Sequence, residues 1–157
     1  MSAIKLIILD VDGTLTNGKI TFDYAGREYK DFNVKDGMGI KLALNRNIEV
    51  VILSGRISKV VEIRAKELGI SALYQGVMNK RKKVEEIARE KNILLKDIAF
   101  IGDDINDLEA MQVVGFKGCP LDASTDIARI SDFVSSKNGG DGSVREIIDF
   151  ILKQNSM

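Results

Sequence analysis

The segment Ile4-Lys5-Leu6-Ile7-Ile8-Leu9-Asp10-Val11-Asp12-Gly13-Thr14 constrains this chain more than any other. Its apolar part is too short for a helix and lacks the polar alternation of a half-exposed strand. It therefore predicts a strand covered on both faces, of the kind found at the centre of a parallel sheet. Ligands of open α/β sheets bind beyond the carboxyl ends of the strands, which is where Asp10 and Asp12 fall. Gly13 lets the chain turn sharply behind them. Two carboxylates this close repel unless a cation or a shared proton relieves them. The pair predicts a divalent metal ion or one raised pKa.

The rest of the chain repeats the same alternation of apolar runs and helical periodicity, the pattern of a parallel α/β sheet. Strands are expected at Lys5–Leu9, Glu49–Leu53, Ala72–Tyr74, Ile98–Ile101, Gly115–Cys119 and Asp132–Ser135. Helices are expected at Gly37–Arg46, Ser58–Leu68, Lys80–Lys91, Asn106–Val113, Ser124–Ile130 and Ser143–Lys153. The last carries a one-sided stripe of Val144, Ile147, Ile148, Ile151 and Leu152. Neither a repeat nor a low-complexity linker interrupts the chain, so residues 1–157 read as one α/β domain. Gly18 to Val34 breaks the alternation and reads as a β-hairpin, with Ile20, Phe22 and Tyr24 alternating with polar residues before a turn at Ala25-Gly26. Its large apolar side chains suit either a flap on its own domain or packing against another subunit.

Composition removes several classes of function. There is no histidine, which excludes imidazole acid–base chemistry, Ser-His triads and His-ligated zinc. Any general acid or base is a carboxylate, Lys, Tyr or the one cysteine, Cys119. That single cysteine forms no internal disulfide and fits a reducing cytoplasm. Lys plus Arg equals Asp plus Glu, which gives no electrostatic case for a nucleic-acid or membrane surface. No apolar stretch approaches a membrane span, and the N-terminus lacks a signal-peptide layout.

Four expected strand ends each deliver polar chemistry. After Asp10 and Asp12, the strand ending at Leu53 gives Ser54-Gly55-Arg56, a hydroxyl and backbone N–H groups able to hold a phosphate oxygen. Lys80 opens a helix beyond the third strand. The strand ending at Ile101 runs into Gly102-Asp103-Asp104-Ile105-Asn106-Asp107. Gathered together, these residues suit Mg²⁺, phosphate and transfer of a phosphoryl group to a carboxylate. Simpler roles exist for some: Ser54 as a helix cap, Lys80 as part of the solvated run Lys80-Arg81-Lys82-Lys83, and Asp107 as first-turn helix charge.

The ordered set Asp10-Val11-Asp12-Gly13-Thr14, Ser54, Lys80 and Gly102-Asp103-Asp104-x-x-Asp107 resembles the haloacid dehalogenase superfamily of phosphohydrolases. The resemblance implies a Rossmann-like three-layer α/β/α fold and a division of labour. Asp10 is the nucleophile, and Asp12 the acid that protonates the leaving alcohol and then activates water. Mg²⁺ is held by Asp10, the backbone carbonyl of Asp12, and Asp103. Ser54, Gly55 and Lys80 bind the phosphoryl group, and Asp104 and Asp107 form an outer acidic shell. The spans between motifs leave no room for a cap domain. The whole chain is similar to one capless family, the 3-deoxy-D-manno-octulosonate 8-phosphate (KDO 8-phosphate) phosphatases of lipopolysaccharide precursor synthesis. Matching stretches are Phe32–Ile40, Ser54–Arg56, Tyr74-Gln75-Gly76, Gly102–Asp104 and Gly139–Glu146. The family implies a homotetramer built through the hairpins, with neighbours completing each active site and the glycine-rich 138–142 segment folding near an adjacent one.

Arg56 and Arg64 are the expected substrate-binding cations. Arg64 interrupts the apolar seam of Ile57, Val61 and Leu68, where a guanidinium is commonly satisfied by a carboxylate or snorkels to water. The family instead implies a contact to a neighbour's substrate. Asn17 and Ser143 depart from the aspartate and alanine usual in relatives. A related branch acting on nine-carbon sugar acid phosphates carries glutamate in place of Arg56, so the arginine favours the octulosonate branch. A signalling receiver domain also joins an acidic pair, a hydroxyl and a lysine around Mg²⁺. Its phosphoacceptor lies on a middle strand and its lysine follows the last one, unlike the order here.

Overall fold

The computed structural model describes residues 2–157. Six parallel strands form the main sheet: β1 (Leu6–Leu9), β4 (Glu49–Leu53), β5 (Ala72–Tyr74), β6 (Ile98–Ile101), β7 (Phe116–Cys119) and β8 (Phe133–Val134). The hairpin strands are β2 (Thr21–Phe22) and β3 (Glu28–Tyr29). The helices are α1 (Val34–Asn45), α2 (Lys59–Leu68), α3 (Lys80–Lys91), α4 (Leu108–Met111), α5 (Thr125–Ile130) and α6 (Ser143–Asn155). Strand order in the sheet is β5-β4-β1-β6-β7-β8, which places the opening apolar run between two neighbours.

Burial on both faces explains why these strands read as continuous apolar runs. Ile7, Leu9, Val50, Ile52, Ala99 and Ile101 join a core with α1, α2 and α6. Their alternates Leu6, Ile8, Val51, Leu53, Ile98 and Phe100 join a second core with α3, α4 and α5. The result is a three-layer α/β/α sandwich, without a cap domain among the described residues. The stripe on α6 is fully seated: Val144, Ile147, Ile148 and Ile151 are all buried. Among the described residues no helix is long and apolar enough to cross a membrane.

Two elements differ from expectation. Helix α1 begins three residues before Gly37, because Asn33 caps it by accepting the Lys35 N–H at 2.8 Å. The helix expected over 106–113 is a 3₁₀ turn at Ile105–Asp107 followed by the short α4. Asp104 and Asp107 form a reciprocal capping box across that turn, which tightens it.

The glycine-rich segment packs on the loop that follows β1. The Gly140 N–H donates to the Thr14 carbonyl at 3.2 Å. A Cβ at Gly139 would collide with the carbonyl oxygens of Gly13 and Thr16, both backbone atoms that cannot swing away. Gly139→Ala is therefore expected to cost about 1–3 kcal/mol or more in chemical denaturation, as forced overpacking does. A loss within a few tenths would show that this loop contact is dispensable.

Candidate active site

Parallel register brings the predicted residues to one edge of the sheet. Leu9 pairs with Ile52 on one side and Ile101 on the other. Asp10 is the next residue after Leu9, and Ser54 and Asp103 each stand two residues past its partners. Lys80 enters from the first turn of α3, beyond β5.

The Lys80 Nζ donates to Asp10 Oδ1 at 2.7 Å and to Asp107 Oδ1 at 2.6 Å. Its side chain is 1 % exposed, so the solvated role is excluded. Burial alone would lower the lysine pKa, but the two carboxylates overcome it and raise the value above 10.5. Asp107 also accepts the backbone N–H of Asp103 at 3.0 Å through Oδ2. Thr14 Oγ1 donates to Asp103 Oδ1 at 3.2 Å. Gly13 has φ of +89°, and a Cβ there would strike the Asp103 carboxylate. That position needs glycine twice over, for its conformation and for its space.

Asp10, Asp103 and Asp107 bring carboxylate oxygens within 4.8 Å of one another. Lys80 is bonded to Asp10 and Asp107 but not to Asp103, so negative charge is in excess. Burial, and then the adjoining Asp10 carboxyl that favours a shared proton, pushes Asp103 up to about 8. Burial and the Asp10 charge raise Asp107 to about 6, against the opposing pull of Lys80. A compact set of hard oxygens with uncompensated charge fits a divalent cation such as Mg²⁺.

The sign of the resulting pH dependence is fixed. An unfolded Asp103 ionises near 3.8, whereas the folded one keeps its proton to about 8. Between those values the folded state binds more protons, so metal-free stability falls as pH rises. Magnesium binding requires the deprotonated carboxylate and releases that proton. The rise in Tm on adding Mg²⁺ is therefore expected to grow from about pH 5 to about pH 8. A pH-independent rise would place the metal elsewhere.

The remaining predicted residues divide. Asp104 stands apart from the cluster: it is exposed, and its carboxylate accepts the Ile105 N–H at 2.7 Å. Ser54 is buried, and its Oγ accepts the Arg56 N–H at 3.3 Å. Gly55 continues this turn, half-buried. Arg56 donates to Glu28 Oε2 at 2.7 Å and lies 3.8 Å from Asp12 Oδ2. Its NH1 is buried without a hydrogen-bond partner. Arg64 stays within its own helix layer, paired with Glu67 Oε2 at 3.0 Å and lying over the Phe32 ring. Within one chain this matches the satisfied-guanidinium reading rather than a substrate contact.

Comparison with known proteins settles the family. Residues 58–148 match the model of the haloacid dehalogenase-like hydrolases. The chain is 43% identical over 149 residues to the 3-deoxy-D-manno-octulosonate 8-phosphate phosphatase of Salmonella typhi, covering 95% of this chain and 79% of that protein. The chain belongs to this phosphatase family of haloacid dehalogenase-like hydrolases. Its fold superimposes on the Yersinia pestis KDO 8-phosphate phosphatase with a TM-score of 0.96 at 37% identity, over 99% of this chain and 84% of that one. The Moraxella catarrhalis phosphatase, crystallised with a magnesium ion, a phosphate ion and a KDO molecule, gives 0.96 at 38% identity over 98% and 88%.

Sequence reasoning missed two charged residues of this family member, Glu28 and Lys30, both on the hairpin. Glu28 accepts from Arg56 and also from Ser58 Oγ at 2.6 Å, while Lys30 donates to Asp12 at 2.5 Å. The available signal was their period-two spacing on the second arm of the hairpin, which turns both toward one face.

Proposed function

We propose that this chain is a magnesium-dependent phosphomonoester hydrolase that releases phosphate from 3-deoxy-D-manno-octulosonate 8-phosphate through an aspartyl-phosphate. The observation that carries this reading is the buried ammonium of Lys80 held on Asp10, the residue beyond the central strand, beside Asp103. Lys80 orients the Asp10 carboxylate, and its positive charge faces the incoming phosphoryl oxygens. Ser54 and the Gly55 N–H bind those oxygens from the neighbouring strand end.

An oxygen of Asp10 attacks phosphorus, and the bond from phosphorus to the alkyl oxygen breaks. Asp12 gives its proton to the departing alcohol. Asp12 then takes a proton from water as that water attacks phosphorus, which frees phosphate and restores the Asp10 carboxylate. Asp10, the Asp12 carbonyl and Asp103 would hold the magnesium ion, while Asp107 fixes Lys80 and the 103–104 backbone. When bound, the ion supplies the positive charge that lets a dianionic ester approach a carboxylate. The NH1 of Arg56, which has no hydrogen-bond partner and lies 3.8 Å from Asp12 Oδ2, would bind a second anionic group such as a sugar acid offers.

A homotetramer is proposed on the hairpin. Ile20, Phe22 and Tyr29 are more than half exposed and Tyr24 fully so, although the Lys30–Asp12 and Glu28–Arg56 pairs tie the hairpin to its own domain. Such an apolar face calls for a partner, here further copies of the chain. Arg64 would then reach a neighbour's substrate by exchanging Glu67 for it. A cytoplasmic location accords with the free thiol of buried Cys119.

Phosphate release measured over a panel of sugar acid phosphates with Mg²⁺, alongside the native mass, tests the reading. The highest kcat/KM is expected on the eight-carbon ester, with loss in EDTA and recovery on adding Mg²⁺. Preference for a nine-carbon acid phosphate would move the substrate assignment. Full turnover in chelator would refute the metal.

A further inference from the structure

The ammonium of Lys30 is the best-buried charge on the hairpin, its side chain 1 % exposed. It bonds Asp12 Oδ1 at 2.5 Å and lies 3.5 Å from Glu28 Oε1. A lysine with only a stapling duty could be satisfied by Glu28 on its own ribbon. This one reaches across to the carboxylate two residues beyond the central-strand nucleophile. It occupies one oxygen of that carboxylate and leaves Oδ2 facing the Arg56 guanidinium at 3.8 Å. Glu28 closes the arrangement by holding Arg56 at 2.7 Å and Ser58 at 2.6 Å.

We propose that Lys30 is the positioning residue for Asp12, so that the hairpin carries part of the proton-transfer apparatus. A protonated carboxyl carries its hydrogen on one oxygen and still accepts on the other. With Oδ1 fixed by Lys30, the proton-bearing oxygen is Oδ2, on the side where Arg56 awaits the substrate. Without Lys30 the carboxyl rotates freely about its last torsion, and the transferable proton spends less time aimed at the leaving oxygen. The inference rests on the reading of Asp12 as the acid for the leaving alcohol.

Leaving-group dependence tests it, because a good leaving group departs without a proton. Lys30→Met and Lys30→Gln are compared on glycerol 2-phosphate, an alkyl ester without the sugar acid's carboxylate, and on p-nitrophenyl phosphate, so that substrate contacts of Arg56 do not enter the comparison. The quantity compared is kcat/KM, which ends at phosphoryl transfer and is blind to the later attack of water. Lost positioning of a general acid is expected to lower the alkyl value by about 10–100-fold and the aryl value at least about tenfold less. Lys30→Arg restores part of the alkyl activity. Equal losses on both esters, or none on either, overturn the proposal; Lys30→Gln, which keeps a donor and most of the stem, carries the comparison where Lys30→Met fails to fold. Asp12→Asn separates the two readings. If it discriminates between the esters and the Lys30 variants do not, only the role of Lys30 falls; if it does not discriminate, the general-acid reading falls and this proposal with it.

Discussion

Asp10→Asn is expected to lower phosphate release by about 10⁴-fold or more while the protein stays folded, since an amide cannot form the acyl phosphate. The fold survives because Asp10 stands beyond the end of β1 and contributes nothing to the two cores. The substitution also removes a negative charge that raises both Asp103 and Asp107. Both carboxyls should therefore ionise at lower pH in the variant. Steady-state assays read the first effect, and carboxyl titration by NMR reads the second. Activity retained within tenfold would take the nucleophile's role from Asp10.

Lys80→Met is expected to combine a catalytic loss with a structural one. The ammonium holds two carboxylates that are almost wholly buried, with side-chain exposures of 6 % for Asp10 and 0 % for Asp107. Removing one partner from a buried ion pair leaves uncompensated charge, which costs about 3–5 kcal/mol. The loss should be smaller at low pH, where Asp103 and Asp107 take up protons, and smaller again with Mg²⁺ present. Denaturation of the metal-free protein across pH, repeated with Mg²⁺, measures all three. A loss below about 1 kcal/mol, the size of an exposed pair, would contradict the burial argument.

Much of this site was legible because a doubly buried strand writes itself as an unbroken apolar run, and the first polar residue after it marks the sheet edge. Asp10, Ser54 and Asp103 are located by that rule alone. Lys80 needed the structure, since the surrounding Arg81, Lys82 and Lys83 give the same local composition as a solvated face. Only packing of α3 against α4 and the 3₁₀ turn at Ile105–Asp107 tells the buried ammonium from its neighbours. Asp104 and Asp107 are chemically identical in sequence, yet one caps the 3₁₀ turn in solvent and the other turns inward to hold Lys80. Lys30 and Glu28 escaped notice because their partners lie 18 and 28 residues away, across a ribbon whose docking no local pattern encodes. Arg64 lies on α2 with the buried Val61 and Leu68, whereas Ile57, expected in the same seam, precedes the helix and is exposed. The partners of Arg64 within the chain, Glu67 and Phe32, satisfy it without any ligand.

Rapid quenching during turnover of KDO 8-phosphate with Mg²⁺, followed by borohydride reduction and peptide mapping, tests the covalent step most directly. Reduction turns an aspartyl-phosphate into homoserine. The expected result is homoserine at position 10, absent without substrate and absent from Asp10→Asn. Homoserine at another aspartate, or none while phosphate release continues at full rate, would contradict the account.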